Sequence, residues 1–185
     1  MRILIRSSDY PEILILEYGA DRPGDLKYLL SIAKPNIGVI TALGAVPVHV
    51  EFYSGPDEVA REKARLIEHL PVAGFAILNS DDEVVARLKD RTRAHIVTFG
   101  FSRGASVQVT RFDHRIEDGK PAGVSFKLEY EGSEVPVRMD GVFGKTQGYA
   151  AAAAAAVGLI FGFNLITISE ALERYRPATH RMELV

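Results

Sequence analysis

The sequence predicts an α/β fold: a parallel sheet flanked by helices, then an antiparallel β subregion and a C-terminal helix pair. Three observations carry this. Apolar runs of strand length alternate with helical periodicity up to residue 100, residues 105–139 then alternate with period two, and an alanine-rich stretch without charges follows. The segments are 11–100 for the α/β sheet, 105–139 for the antiparallel subregion, 145–176 for the helix pair and 177–185 for a terminal junction, within one unit spanning 1–185.

Taken in order, Ile13-Leu14-Ile15-Leu16 is a continuous apolar run, the pattern of a strand buried on both faces. Pro23-Gly24-Asp25 opens a short helix with Leu26, Leu29, Leu30 and Ala33 at helical spacing, and Pro35 stops it. Ile37-Gly38-Val39-Ile40 reads as a second buried strand, followed by a loop through Gly44 and Pro47 and a helix over 57–70. Phe75-Ala76-Ile77-Leu78 is a third strand, 82–88 a third helix and His95-Ile96-Val97-Thr98-Phe99 a fourth strand. Beyond these, Val107, Val109 and Phe112, then Val124, Phe126, Leu128 and Tyr130, then Val135 and Val137 alternate, with breaks at Glu117-Asp118-Gly119-Lys120-Pro121 and Glu131-Gly132-Ser133. That is an antiparallel meander packed on one face.

Residues 146–169 carry no charge and include Gly158-Leu159-Ile160-Phe161-Gly162, a GxxxG pattern. A membrane span is nevertheless not expected. The alanines from Ala150 to Ala156 are weakly apolar, Asn164 suits a helix C-terminus, and Thr167-Ile168-Ser169-Glu170 reads as a capping box opening a new helix. The run is two helices and a corner.

The composition is 47% hydrophobic and 25% charged, which excludes a disordered chain. With 22 basic and 24 acidic residues the net charge is -2, so no global field argues for nucleic acid or an anionic membrane. The absence of cysteine excludes a disulfide scaffold, a thiolate zinc site and a cysteine nucleophile, and fits a reducing compartment. Residues 1–6 hold no long apolar core or cleavage site, so no signal peptide is expected and a cytoplasmic location is. Gly144-Lys145-Thr146 looks like the end of a Walker A loop, but Met139 stands where that pattern needs its first glycine. His69, His95 and His114 show no ligand spacing.

Three residues draw chemical interest. Glu17 directly follows the first apolar run, and ligands of open parallel sheets bind at the carboxyl ends of strands, where a carboxylate can hold magnesium on a nucleotide. His49 lies in the loop after the second strand, within reach of the same edge. Lys63 is expected in the middle of the apolar face of the 57–70 helix, as the only charge there, with Glu62 on the opposite, solvated side. A buried lysine must be paired, modified or neutral, and carbamylation by carbon dioxide would turn it into a metal-binding anion.

Six segments in order then resemble the Mur ligases: Leu16-Glu17-Tyr18-Gly19-Ala20-Asp21-Arg22-Pro23-Gly24-Asp25, the run from Ile40 through His49 to Phe52, Arg61-Glu62-Lys63, Ala76-Ile77-Leu78-Asn79-Ser80-Asp81-Asp82, Gly144-Lys145-Thr146-Gln147 and His180-Arg181-Met182-Glu183. The resemblance implies a central ATPase domain of the P-loop type, with Glu17, His49 and Lys63 around magnesium, Lys63 as a carbamate or phosphate-facing group, and Asn79, Gln147 and Arg181 near ATP. It implies ATP-dependent activation of a UDP-muramoyl-peptide carboxylate as an acyl phosphate, attacked by D-alanyl-D-alanine or an amino acid, in peptidoglycan precursor synthesis. Ala42, Gln147 and Ala150 depart from the family's asparagines. The family's glycine-rich phosphate loop and its first and third domains are expected outside this chain, with another chain as one carrier of the missing domains. Alone, it is expected to bind ATP weakly and to lack turnover. Residues 1–6, with Ile3-Leu4-Ile5, are expected to serve as a substitute strand. A folylpolyglutamate synthase-like ligase, or a remnant or scaffold without turnover, remain as alternatives.

Overall fold

Residues 11–45 and 50–177 are described by the computed structural model. The β-branched and apolar runs form one six-stranded sheet in sequential order: β1 (Ile37–Ile40), β2 (Phe75–Asn79), β3 (His95–Gly100), β4 (Val107–Glu117), β5 (Lys120–Tyr130) and β6 (Ser133–Asp140). The pairs β1–β2, β2–β3 and β3–β4 are parallel, while β4–β5 and β5–β6 are antiparallel. The meander therefore continues the parallel sheet through β4. Both hairpins turn where two successive residues adopt positive φ, Asp118 (50°) with Gly119 (75°) and Glu131 (47°) with Gly132 (78°). That pairing matches the twist of the flanking strands.

Helices cover both faces. α1 (Asp25–Ile32) packs on α2 (Pro56–Glu68), and α2 lies with α3 (Glu83–Ala86) and the 3-10 turn Arg87–Arg91 on one side of the sheet. There Ala64 and Ile67 of α2 meet Ile40, Ala76 and Leu78. On the other side α4 (Lys145–Ile160) and α5 (Leu165–Glu173) cover Ile77, Phe99, Val107, Val109 and Val124. Alternation along β2 explains the division, since Ala76 and Leu78 point one way and Ile77 the other. Ala151, Ala152, Ala155 and Ala156 are fully buried, and their small side chains let α4 lie close against β3 and β4. α4 ends in a Schellman turn, with Gly162 N–H donating to Leu159 O (2.9 Å) and Phe163 N–H to Gly158 O (3.1 Å). Among the described residues no helix is long and apolar enough to cross a membrane.

Three expectations need correction. Residues 13–16 form no strand; they are exposed, Ile15 to 86%. An apolar run with no neighbouring strand among the described residues has no ladder to join there, and the run's composition alone could not reveal that. Asn164 does not end α4 but caps α5, its side chain accepting from Thr167 N–H (2.9 Å), so Thr167 is the third residue of the helix rather than its cap. Glu62 is not on the solvated side of α2; it is 4% exposed, whereas Lys63 is half-buried. Helical periodicity ranked faces by hydrophobicity and so missed a carboxylate that is buried because it has backbone partners. The expected substitute strand at 1–6, His49 and Arg181 lie outside the described residues.

Candidate functional site

Lys63 and Glu62 grip the segment that follows Glu17. The Lys63 ammonium donates to Ala20 O (3.0 Å), and one oxygen of Glu62 accepts from Gly24 N–H (3.0 Å) and Leu26 N–H (3.1 Å) at the start of α1. The second Glu62 oxygen accepts from Arg65 Nε (2.8 Å). Asp25 closes the turn between these anchors, accepting from Asp21 N–H (3.0 Å) and Arg22 N–H (2.9 Å). Those two backbone donors hold its carboxyl below the ordinary carboxylate range. Tyr18 adds a bond from its hydroxyl to Ala33 O (2.7 Å). Glu17 itself is exposed. Two residues, Tyr18 and Gly19, separate it from Ala20, so its Cα lies within about 10 Å of the Ala20 Cα, on a segment bonded to Lys63. Tyr53, behind this turn, has a buried hydroxyl with no hydrogen-bond partner among the described residues. Burial first, and then the charges of Glu62, Asp25 and Asp21, push its pKa up.

The carboxyl ends of the parallel strands are tied by β2. Asn79, 5% exposed, donates from Nδ2 to Thr41 O (2.7 Å) beyond β1, and its Oδ1 accepts from Asp81 N–H (2.9 Å). Asp82 accepts from Leu43 N–H (2.7 Å) and Gly44 N–H (2.8 Å) with one oxygen, and from Val84 N–H (2.9 Å) and Val85 N–H (3.0 Å) with the other, which caps α3. Asp81 accepts from Phe101 N–H (2.6 Å), Ser102 N–H (3.0 Å) and the Tyr149 hydroxyl (2.9 Å). Burial pushes both carboxyls up, but these donors outweigh it and leave each below its ordinary value. Burial, and then the bond to Asp81, push Tyr149 up to about 12.

Tyr149 thereby fixes the first turns of α4 to the carboxyl end of β2. Gly144, the N-cap of α4, and Lys145-Thr146-Gln147, its first turn, lie there, with the Lys145 ammonium 5.5 Å from the Phe101 ring centre and Gln147 half-exposed. The strand–turn–helix context of a phosphate loop is thus present, but the turn is shorter than that motif requires. Asn79 and Gln147 are brought to one end of the sheet through Asp81 and Tyr149, and Glu17 and Lys63 are joined through Ala20. Among the described residues no three histidines or carboxylates cluster as a ready metal cage. Magnesium does not require one, since it keeps several waters and takes one or two carboxylates. An exposed Glu17 beside a lysine-bearing helix fits that demand.

Sequence reasoning missed Glu62, Asp81, Asp82 and Tyr149 as organisers of the site. Asp82 carried a legible signal, an aspartate immediately before a short helix. Glu62 and Tyr149 carried none, because their partners are distant in sequence.

Fold and site define an α/β domain whose polar groups gather at the carboxyl ends of parallel strands, the usual ligand position of such sheets. The family model of the Mur ligase middle domain matches residues 4–158, and the chain belongs to that family. It is 32% identical over 189 residues to the UDP-N-acetylmuramoyl-tripeptide--D-alanyl-D-alanine ligase of Mycobacterium leprae, covering 97% of this chain and 35% of that protein. It is 28% identical to the UDP-N-acetylmuramate--L-alanine ligase of Aquifex aeolicus, covering 82% of this chain and 32% of that one. The MurF crystal structure from Acinetobacter baumannii superposes with a TM-score of 0.78 at 25% identity, covering 90% of this chain and 35% of that chain. The ADP complex of Thermotoga maritima MurF gives 0.77 at 25% identity, covering 92% and 38%. The chain thus spans about a third of the length of these relatives.

Proposed function

We propose that this chain is the middle, nucleotide-handling part of an ATP-dependent acid–amino acid ligase of peptidoglycan precursor synthesis. The reaction joins a UDP-muramoyl-peptide carboxylate, activated as an acyl phosphate, to D-alanyl-D-alanine or an amino acid. The observation that carries this is the joining of the Glu17 segment to the Lys63 helix in a chain of this family. That the Thermotoga maritima relative was solved in complex with ADP supports a nucleotide-using reading.

In this reading Glu17, with His49, holds magnesium. Bound Mg-ATP supplies the phosphoryl group and the cation that neutralises its charge. Lys63 faces that charge from α2. Its amine can also take up carbon dioxide and lose a proton. The carbamate nitrogen would keep one N–H available for Ala20 O, and the new oxygens would supply negative charge suited to a metal. Asn79 and Gln147 would contact the nucleotide, near where Asp81 and Tyr149 hold β2 and α4 together, and Arg181 is assigned to the nucleotide as well. The other ligase domains bring the carboxylate and amine substrates, from the same protein or another chain, and the enzyme works in the cytoplasm.

Phosphate release with Mg-ATP, UDP-muramoyl-tripeptide and D-alanyl-D-alanine tests the proposal, with the chain alone and with the phosphate-loop segment and the first and third domains of a relative added as separate chains. The expected result is release only in the reconstituted mixture, abolished by Lys63→Ala. No release in any mixture would favour a scaffold without turnover.

A further inference from the structure

Glu62 has no part in the chemistry just outlined, yet it is the most buried charged side chain among the described residues, at 4% exposure. We propose that Glu62 is a positioning residue that sets Glu17 against Lys63. This rests on the magnesium reading above and adds to it the group that builds the geometry.

The argument follows the bonds. Burying a carboxylate is costly unless donors surround it, and Glu62 has three: Gly24 N–H at 3.0 Å, Leu26 N–H at 3.1 Å and Arg65 Nε at 2.8 Å. Two of these belong to the start of α1, which has no side-chain cap of its own. Glu62 therefore serves as that helix's cap from a distant helix, and its charge complements the positive end of the α1 dipole. Its neighbour Lys63 holds Ala20 O at 3.0 Å. Consecutive residues of α2 thus grip the same segment at Ala20, Gly24 and Leu26, and Asp25 closes the turn between the grips. Adjacent residues on a helix diverge by about 100°, so the two bonds resist motion in different directions. Lys63 fixes the segment at Ala20, and the Tyr18 hydroxyl ties the stretch before it to Ala33 O (2.7 Å), just past the end of α1. Glu62 holds the start of α1 on α2, so it keeps these two ties in register, and Glu17, three residues before Ala20, keeps its place relative to the amine.

Substitution at 62 combined with Mn²⁺ as a paramagnetic probe tests this in the intact chain. Amide exchange at Gly24 and Leu26 reports the clamp, and Mn²⁺ broadening of the Glu17 and Lys63 side-chain signals reports the site. Glu62→Ala is expected to speed exchange at both amides at least tenfold and to weaken the Mn²⁺ effect at least fivefold. Glu62→Gln, whose side-chain oxygen can accept from the same two amides, is expected to restore most of both. Broadening that persists unchanged in Glu62→Ala while exchange accelerates would overturn the positioning role and leave the magnesium reading standing. Absence of broadening at Glu17 and Lys63 in the unsubstituted protein would overturn the magnesium reading, and would reduce Glu62 to a clamp of α1. Exchange unchanged in a folded Glu62→Ala would overturn the clamp itself.

Discussion

Asp81 and Asp82 sit side by side at the end of β2 and face different partners. Asp82 ties the loop after β1 to the start of α3, and Asp81 ties the β3–β4 connection to α4. Asp82→Ala leaves two loop amides and two helix amides without their acceptor. We expect a loss of about 2 kcal/mol at neutral pH, the upper range for a helix cap, read from urea unfolding. The sign of its pH dependence follows from the lowered carboxyl pKa. Stability from a depressed carboxylate is complete above the unfolded value of about 4 and is lost as pH falls through the folded value. The gap between wild type and Asp82→Asn should therefore narrow below about pH 4; a gap that stays constant to that point and below would contradict the assignment. Tyr149→Phe removes one bond to Asp81 and should cost about 1 kcal/mol in the same assay, without disturbing the apolar contacts of the ring. An aspartate before a helix could be recognised from sequence as a cap, but its second oxygen reaches Leu43 and Gly44, and nothing local announces that.

Elements with internal periodicity were the most legible. The parallel strands, the meander with both of its turns, and the two helices of the uncharged stretch all follow from patterns of apolar residues and turn residues. Residues 13–16 were not legible, because burial on both faces requires neighbours that the run itself does not encode. Ile15→Lys separates the two descriptions. At a side chain exposed to 86% it should change stability by less than about 0.5 kcal/mol and reduce light scattering, since an exposed apolar run favours association. A loss of several kcal/mol would place the run in the sheet after all. The meander offers the opposite case. At Gly123, where φ is 153°, an added Cβ would fall 2.1 Å from the carbonyl oxygen of Met139. Gly123→Ala must therefore push β5 and β6 apart, and should cost more than about 3 kcal/mol in a thermal or urea melt, as strain and ladder bonds are lost together.

At the scale of the whole molecule, the sheet carries two joined groups: the Glu17 segment on Lys63 and Glu62, and the ends of β1 to β3 with α4 on Asn79, Asp81 and Asp82. Resemblance of six short segments pointed to the family and to Glu17, Lys63, Asn79 and Gln147. It did not reveal the residues that join them, which act through folded contacts between helices and loops. Nucleotide affinity is a separate matter. Phosphate binding of the usual strength draws on backbone amides of a glycine-rich turn, a lysine and a helix N-terminus. The turn before α4 is too short for that motif, so Mg-ATP should bind this chain weakly.

Titration of the isotope-labelled chain with Mg-ADP, followed through its amide signals, tests the central claim most directly. The account predicts weak, saturable binding with a dissociation constant of about 1 mM or above. The largest shifts should fall at Glu17, Ala20, Asn79 and the first turn of α4, and those at Glu17 should vanish when the metal is chelated. Shifts confined to other faces of the sheet, or shifts at Glu17 that ignore the metal, would contradict it.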